Sequence, residues 1–378
     1  SDSSRPRSVA SDAPSFEKVS ACVHCGLCLE ACPTYRELRV EMDSPRGRIY
    51  LMKGILDERI EPTEEVMVHL DQCLDCRACE TACPSGVHYS EILEKTRTLL
   101  EPGRDRGFIV RFLRWFLFKK LLPNRKAQQV LFKILWVQKI LGFTALARWL
   151  GRRKLLPGKL ASLADQLFAG VNEATVSVLT ENGCDVEVMA AEQCCGALHI
   201  HNGARDQAKE FARANVKNFN LGKYDAVVTN APGCSAELRH YGELLDGDPQ
   251  AVEFGKKIRD ITEYLVEIGY QPPTGALRGK VAYDEPCHLL HAQKISAAPK
   301  EVIAKLPGVE TVPLEDAEFC CGSAGLYSVT EPVLARDILA RKIDQIRKSG
   351  CGVREAKLPV RVVHPVELLA ESYKNSKS

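Results

Sequence analysis

Eight of the 16 cysteines fall into two copies of one pattern. Cys22, Cys25, Cys28 and Cys32 precede Pro33, and Cys73, Cys76, Cys79 and Cys83 precede Pro84, so both copies read C-x2-C-x2-C-x3-C-P. Three thiolates on one tight loop reach three corners of an iron–sulfur cube, while the fourth, on the helix that follows, points away. Two such loops facing each other exchange their fourth ligands, as in two-cluster ferredoxins. The spacing therefore assigns Cys22, Cys25, Cys28 and Cys83 to one [4Fe–4S] cluster, and Cys73, Cys76, Cys79 and Cys32 to the other. Zinc is the competing reading, but zinc sites usually take cysteines as separated pairs. The pattern belongs to a chain that moves electrons.

At 378 residues the chain has room for two or three domains with buried cores. Metal-type cysteine spacing without a signal-peptide pattern favours a reducing compartment over a disulfide framework. The sequence begins at Ser1, which reads as a processed or introduced start, and residues 1–15, polar and rich in Ser and Pro, are expected to be a disordered tail. No apolar run reaches the ~18 residues that span a bilayer.

The whole-chain net charge of +2 hides an asymmetry. Residues 104–154 hold 14 Lys/Arg against the single acid Asp105, giving that segment +13 and leaving −11 for the rest. Trp115, Trp136, Trp149 and six of the 12 phenylalanines lie there as well. Arg111, Arg114, Lys119 and Lys120 alternate with Phe112, Leu113, Trp115, Phe116, Leu117 and Phe118, and Pro123 divides the stretch into two expected helices. A basic, aromatic amphipathic helix reads as lying on an anionic membrane surface, each Lys/Arg there contributing about 1 kcal/mol. A docking face for an acidic partner and plain packing are the other readings. Nucleic acid is disfavoured, because no binding motif accompanies the charge.

The fold class read from these patterns is α+β multidomain. An α-helical two-cluster ferredoxin domain (16–103) precedes the basic helical linker (104–160) and a duplicated α/β cysteine-rich domain. Forty residues separate Cys32 from Cys73, with helical pattern at Arg46–Arg59 and Thr63–Leu70. Arg46 and Arg48 read as solvated surface, with electrostatic tuning of a cluster as the second possibility. The duplication shows in Gln193-Cys194-Cys195-Gly196-Ala197 and Phe319-Cys320-Cys321-Gly322-Ser323, each followed by a helical stretch (204–219 and 332–349). Short apolar strands are expected at 226–229, 280–283 and 360–363. The halves are bounded at 161–270 and 271–378.

Each CCG supplies adjacent thiols that can reach a multi-iron group, and its glycine permits close backbone approach. Cys194, Cys195 and Cys234 form one candidate set, Cys287, Cys320, Cys321 and Cys351 the other. Cys184 stands outside the repeat and reads as a core thiol. His288 and His291, beside Cys287, are candidate proton donors for a reduction at that site, weighed against a supporting or core role. His199 and His201 carry the same two readings. The sequence shows no Gly-rich nucleotide motif in cofactor context.

Taken together, CVHCGLCLEACPTY, SPRGRIYLMKG, LDQCLDCRACETACPSGV, CCGALH, PCHLLHAQ, CCGSAG and HPVELL resemble the iron–sulfur subunit of glycolate oxidase over about residues 16–373. The relatives of that family are the iron–sulfur subunits of anaerobic glycerol-3-phosphate dehydrogenase and heterodisulfide reductase. The resemblance implies a cytoplasmic complex, peripheral on the inner face of the membrane. In it an FAD-containing partner oxidises a 2-hydroxy acid, and this chain passes the electrons towards quinone or another acceptor. It also implies one or two non-cubane [4Fe–4S] clusters on the CCG cysteines. The alternative is a catalytic, heterodisulfide-reductase-like subunit, or the electron-transfer subunit of a glycerol-3-phosphate dehydrogenase. Two departures accompany the likeness. No strand is evident ahead of Ala161-Ser162, and Cys321 to Cys351 spans 30 residues where Cys195 to Cys234 spans 39. Residues missing near 161 and 350 are expected, since a lost interior strand would leave a sheet unpaired.

Overall fold

The computed structural model describes residues 13–104, 106–121, 169–189, 194–219, 221–351 and 361–377. In the first domain α1 (Phe16–Ser20), α2 (Pro33–Leu38), α3 (Pro45–Leu56), α4 (Glu64–Asp71), α5 (Ala78–Thr81) and α6 (Tyr89–Leu100) pack around the two cysteine loops. Their core is Val19, Ile49, Met52, Met67, Leu70, Ile92 and Leu93, with Cys79 buried among them. The SPRGR stretch explains its own residues. Ser44 caps α3 by accepting from Gly47 N at 3.0 Å, and Pro45 takes the first helical position, where no amide is needed. Gly47 is obligatory, because a Cβ there would lie 1.9 Å from the Glu41 carbonyl oxygen.

From the basic segment the structure describes α7 (Phe108–Trp115), which continues as a wide turn over Phe116–Leu121. The expected second helix beyond Pro123, with Trp136 and Trp149, lies outside the described residues, as does the stretch ahead of Ala161. Phe108, Phe112, Leu113, Trp115 and Phe116 are exposed, whereas Phe118 is buried.

The first cysteine-rich half contains α8 (Ala169–Glu181), α9 (Ala197–His201), α10 (Arg205–Asn218), β1 (Val227–Thr229), α11 (Pro232–Arg239), α12 (Tyr241–Leu244), α13 (Pro249–Lys257), β2 (Ile258–Asp260) and α14 (Ile261–Glu267). The second contains β3 (Gly279–Ala282), α15 (Ala297–Ala304), β4 (Val309–Val312), α16 (Tyr327–Thr330), α17 (Pro332–Lys348) and α18 (Pro365–Ser376). Among the described residues each half carries one parallel strand pair, Val227 opposite Ile258 and Gly279 opposite Val309. Parallel pairing requires a crossover, which α11–α13 supply in one half and α15 in the other. The strand expected at 360–363 is absent over its described part, 361–363.

The first half buries a core of its own around Ala212, Tyr241 and Phe254, and shares a second one with the other half. Val171, Ala174 and Val178 of α8 and Ile261 and Leu265 of α14 pack with Val302 of α15 and Val366 and Leu369 of α18 in one cluster. Cys184 packs against that cluster, as a core thiol does.

Candidate iron–sulfur centres

The two N-terminal loops are built alike. His24 and Gly26 in the first, and Asp75 and Arg77 in the second, all take positive φ, at matching positions around the second cysteine. These left-handed residues curl each loop so that its thiols converge. Gly26 has a further reason, since a Cβ would meet Arg46 Nη1 at 2.8 Å.

The thiols gather in two groups. Cys22 has Cys83 and Cys25 as its thiol neighbours, and Cys28 has Cys22 and Cys32. Cys79 is surrounded by Cys76, Cys73 and Cys32. Burial pushes the Cys28 thiol up to about 11, and burial with neighbouring thiols raises Cys79 as well. Thiols so crowded resist ionising on their own; a bound cationic metal is what stabilises such a set as thiolates. The groups differ in exposure. Cys25 is exposed, whereas Cys32, Cys76 and Cys79 are buried, so we call them the outer and inner groups.

The inner group is not isolated. Cys76 packs with Cys320 in one buried cluster, and Cys320 also neighbours Cys287 and Cys321. Leu74, Cys76, Cys320, Tyr327, Leu334 and Ile338 bury this seam between the first domain and the second cysteine-rich half. Tyr327 crosses it to donate to the Gln72 carbonyl at 3.0 Å. Contact with Cys320, outweighing burial, holds the Cys321 thiol down at about 6.

The other half gathers Cys195 with Cys194 and Cys234. Cys195 contact lowers Cys194 to about 4 against the effect of burial, with His199 and the Gly196 amide assisting. The glycines have parallel roles. Gly196 (φ +85) would place a Cβ 3.1 Å from Ala208 Cβ, and Gly322 (φ +76) one 2.7 Å from the Ala335 carbonyl. In each repeat the CCG turn thus lies directly on the helix that follows it. The Cys351 thiol lies 3.9 Å from the Lys280 carbonyl on β3.

The histidines are engaged in the packing. His288 Nε2 lies 3.1 Å from the Asp75 carbonyl, and burial lowers its pKa to about 4, so it is neutral at pH 7. His291 meets Thr81 Oγ1 at 3.0 Å and the Glu318 carbonyl at 3.2 Å, and burial lowers its pKa too. Fully buried His199 is wedged between the Phe118 and Phe211 rings and lies 3.1 Å from the Phe118 carbonyl, fastening the basic segment to the first half. His201 sits 3.0 Å from both Asp75 and Glu94, with Arg77 3.6 Å from Glu94. Although burial opposes protonation, those carboxylates carry the His201 pKa up to about 10. Asp75 and Arg77 share one cysteine loop, but nothing in the sequence pairs them with Glu94 or His201.

The donor sets suit iron–sulfur groups: thiols only, converging in fours on the N-terminal loops, with backbone amides such as Asp75 N directed at Cys73 Sγ (3.4 Å). Comparison with known proteins agrees. Residues 18–87 match the 4Fe-4S dicluster domain, and residues 162–239 and 281–355 each match the cysteine-rich domain. The probable glycolate oxidase iron-sulfur subunit of Bacillus subtilis (strain 168) is 32% identical over 413 residues, covering 93% of this chain and 93% of that protein. The chain belongs to the glycolate oxidase iron–sulfur subunit family. The glycolate oxidase iron-sulfur subunit of Escherichia coli (strain K12) is 34% identical over 349 residues, 86% of this chain and 84% of its own length. Lactate utilization protein A of Geobacillus kaustophilus (strain HTA426) is 31% identical over 228 residues, 55% of this chain and 95% of that protein. Among the described residues no helix is long and apolar enough to cross a membrane.

Proposed function

We propose that this chain is the electron-transfer subunit of a flavoprotein 2-hydroxy-acid dehydrogenase complex. A [4Fe–4S] cluster supplies one-electron uptake and release at an edge-to-edge site. In this reading Cys22, Cys25, Cys28 and Cys83 hold the outer cluster, and Cys73, Cys76, Cys79 and Cys32 hold the inner one. Cys287, Cys320 and Cys321 hold a non-cubane cluster, with Cys351 its least supported ligand, and Cys194, Cys195 and Cys234 are the candidate set for a further one. The carrying observation is the Cys76–Cys320 contact, which leaves no gap between the inner group and the second CCG site. Exposed Cys25 would put the outer cluster within reach of a partner FAD, and the buried thiols and the CCG cysteines would hold the groups that pass electrons on to quinone or another acceptor. The exposed aromatic face of α7 and exposed Arg111 support docking of the complex on an anionic membrane surface, on the cytoplasmic side, whereas Arg114 is paired with Glu101.

The test is anaerobic co-purification with an FAD-containing 2-hydroxy-acid dehydrogenase as candidate partner, followed by addition of glycolate or lactate. Bleaching of this chain's iron–sulfur absorption by the hydroxy acid supports the reading. A chain that takes no electrons from any such partner overturns it. The second reading, reduction of a disulfide or quinone at the CCG site itself, draws on His288 beside Cys287, whose Nδ1 has no hydrogen-bond partner among the described residues. It predicts reductase activity with an artificial donor in the absence of any flavoprotein.

A further inference from the structure

The geometry points to Arg48 as the residue that sets the inner cluster's reduction potential above the outer one's. The inference rests on the proposed assignment of Cys32, Cys73, Cys76 and Cys79 to one cluster. The sequence suggests a solvated arginine, but the side chain is 0% exposed. Its guanidinium is fully occupied: Nε donates to the His69 carbonyl at 2.6 Å, Nη1 to Thr34 Oγ1 at 3.0 Å, and Nη2 to Asp43 Oδ1 at 3.4 Å. That clamp aims Nη1 at Cys32 Sγ, 4.0 Å away. Thr34, whose hydroxyl donates to the Asp43 carbonyl at 2.9 Å, fixes the approach from the other side. Tyr89 adds a neutral donor, its hydroxyl 3.5 Å from Cys73 Sγ.

Among the described residues the outer group has no equivalent. Arg46 lies near it, but its side chain is 28% exposed and it forms two hydrogen bonds to Glu41, at 2.6 and 3.2 Å. A solvated, neutralised cation contributes little, whereas a buried one at 4 Å acts through a low dielectric. Reduction adds one negative charge to a cluster, and a cation or hydrogen-bond donors at its sulfurs favour that state. The Asp43 carboxylate, paired with Nη2, opposes the effect in part. Arg48 thus makes the buried inner site the better acceptor, which drives electrons inward, towards Cys320.

The experiment is a redox titration of the anaerobically purified full chain, followed by low-temperature EPR, with iron counted in every sample. Arg48→Met is expected to shift the reduced-to-oxidised ratio of one cubane signal at least tenfold towards oxidised, about 59 mV for a one-electron couple, and to leave the other signal in place. Arg48→Lys restores most of the shift. Asp43→Asn, nearly isosteric, is expected to move the same signal the opposite way, because it removes the opposing anion. It also decides the matter where Arg48→Met does not fold. Loaded variants with unmoved midpoints, or an Asp43→Asn shift in the same direction as Arg48→Met, overturn the inference. A wild-type chain that holds no cubane clusters would instead overturn the assignment beneath it.

Discussion

Replacing Gly322 by alanine tests the proposition that the CCG glycine exists to bring the thiol turn onto the following helix. Two costs follow from the structure. The residue sits at φ +76, where an L side chain costs about 1–2 kcal/mol. The new Cβ would also lie 2.7 Å from the Ala335 carbonyl and 3.2 Å from Ile338 Cβ, neither of which is a flexible side-chain end. Relieving that clash is an overpacking cost of about 1–3 kcal/mol. Gly86 provides the control, since it has φ +63 with nothing within 4 Å of the added Cβ, so only the first cost applies. Gly196→Ala, 3.1 Å from Ala208 Cβ, should fall between them. Denaturant midpoints under anaerobic conditions give the ranking without assuming a two-state transition. Gly322→Ala should be the least stable of the three and should lose iron from the site of Cys320 and Cys321. A Gly86→Ala variant as damaged as Gly322→Ala would refute the close-approach argument.

Cys83→Ala should abolish the EPR signal of the exposed outer cluster and spare the inner one, and Cys32→Ala should do the reverse; loss confined to the cluster of each cysteine's own loop would disprove the exchange of fourth ligands. The His201 pKa is raised to about 10 by Asp75 and Glu94, so above pH 6.5 the folded chain binds more protons there than the unfolded chain. The stabilisation is therefore complete below pH 6.5 and lost as pH rises towards 10, with a slope of at most about 1.4 kcal/mol per pH unit. His201→Gln should flatten that part of the pH–stability curve, and an unchanged slope would contradict the ion-pair reading. Wild-type protein should sediment with vesicles containing anionic phospholipid and be released by 1 M salt, whereas Phe112→Glu with Trp115→Ala should not bind. Equal binding by that variant would place the interaction elsewhere.

Much of this molecule is legible in the sequence where a local rule applies. The cysteine spacing predicts converging thiols, and the repeated CCG predicts parallel turns lying on helices. Helical patterns at Arg46–Arg59 and 332–349 correspond to α3 and α17, because capping and periodicity are local properties. What depends on tertiary placement is not legible. Arg48 reads as a surface residue until His69, Thr34 and Asp43 are seen to satisfy every arm of its fork. Cys76 and Cys320 lie 244 residues apart in the chain, and no pattern announces their contact. The division at 270/271 follows the sequence repeat, yet hydrophobic packing joins α8 and α14 to α15 and α18 in a single interior. Cys351 is grouped with Cys287, Cys320 and Cys321 from the sequence, but its thiol lies against β3.

The central claim is that two cysteine quartets feed a third iron–sulfur site across the Cys76–Cys320 seam. Mössbauer and EPR spectroscopy on the anaerobically isolated full chain, with iron counted per chain, tests it most directly. Twelve or more irons are expected, with two cubane signals and magnetic coupling between the inner cubane and a further cluster that Cys320→Ala removes. Eight irons with two cubanes and no response to Cys320→Ala would contradict it, leaving a ferredoxin module beside an empty cysteine-rich domain.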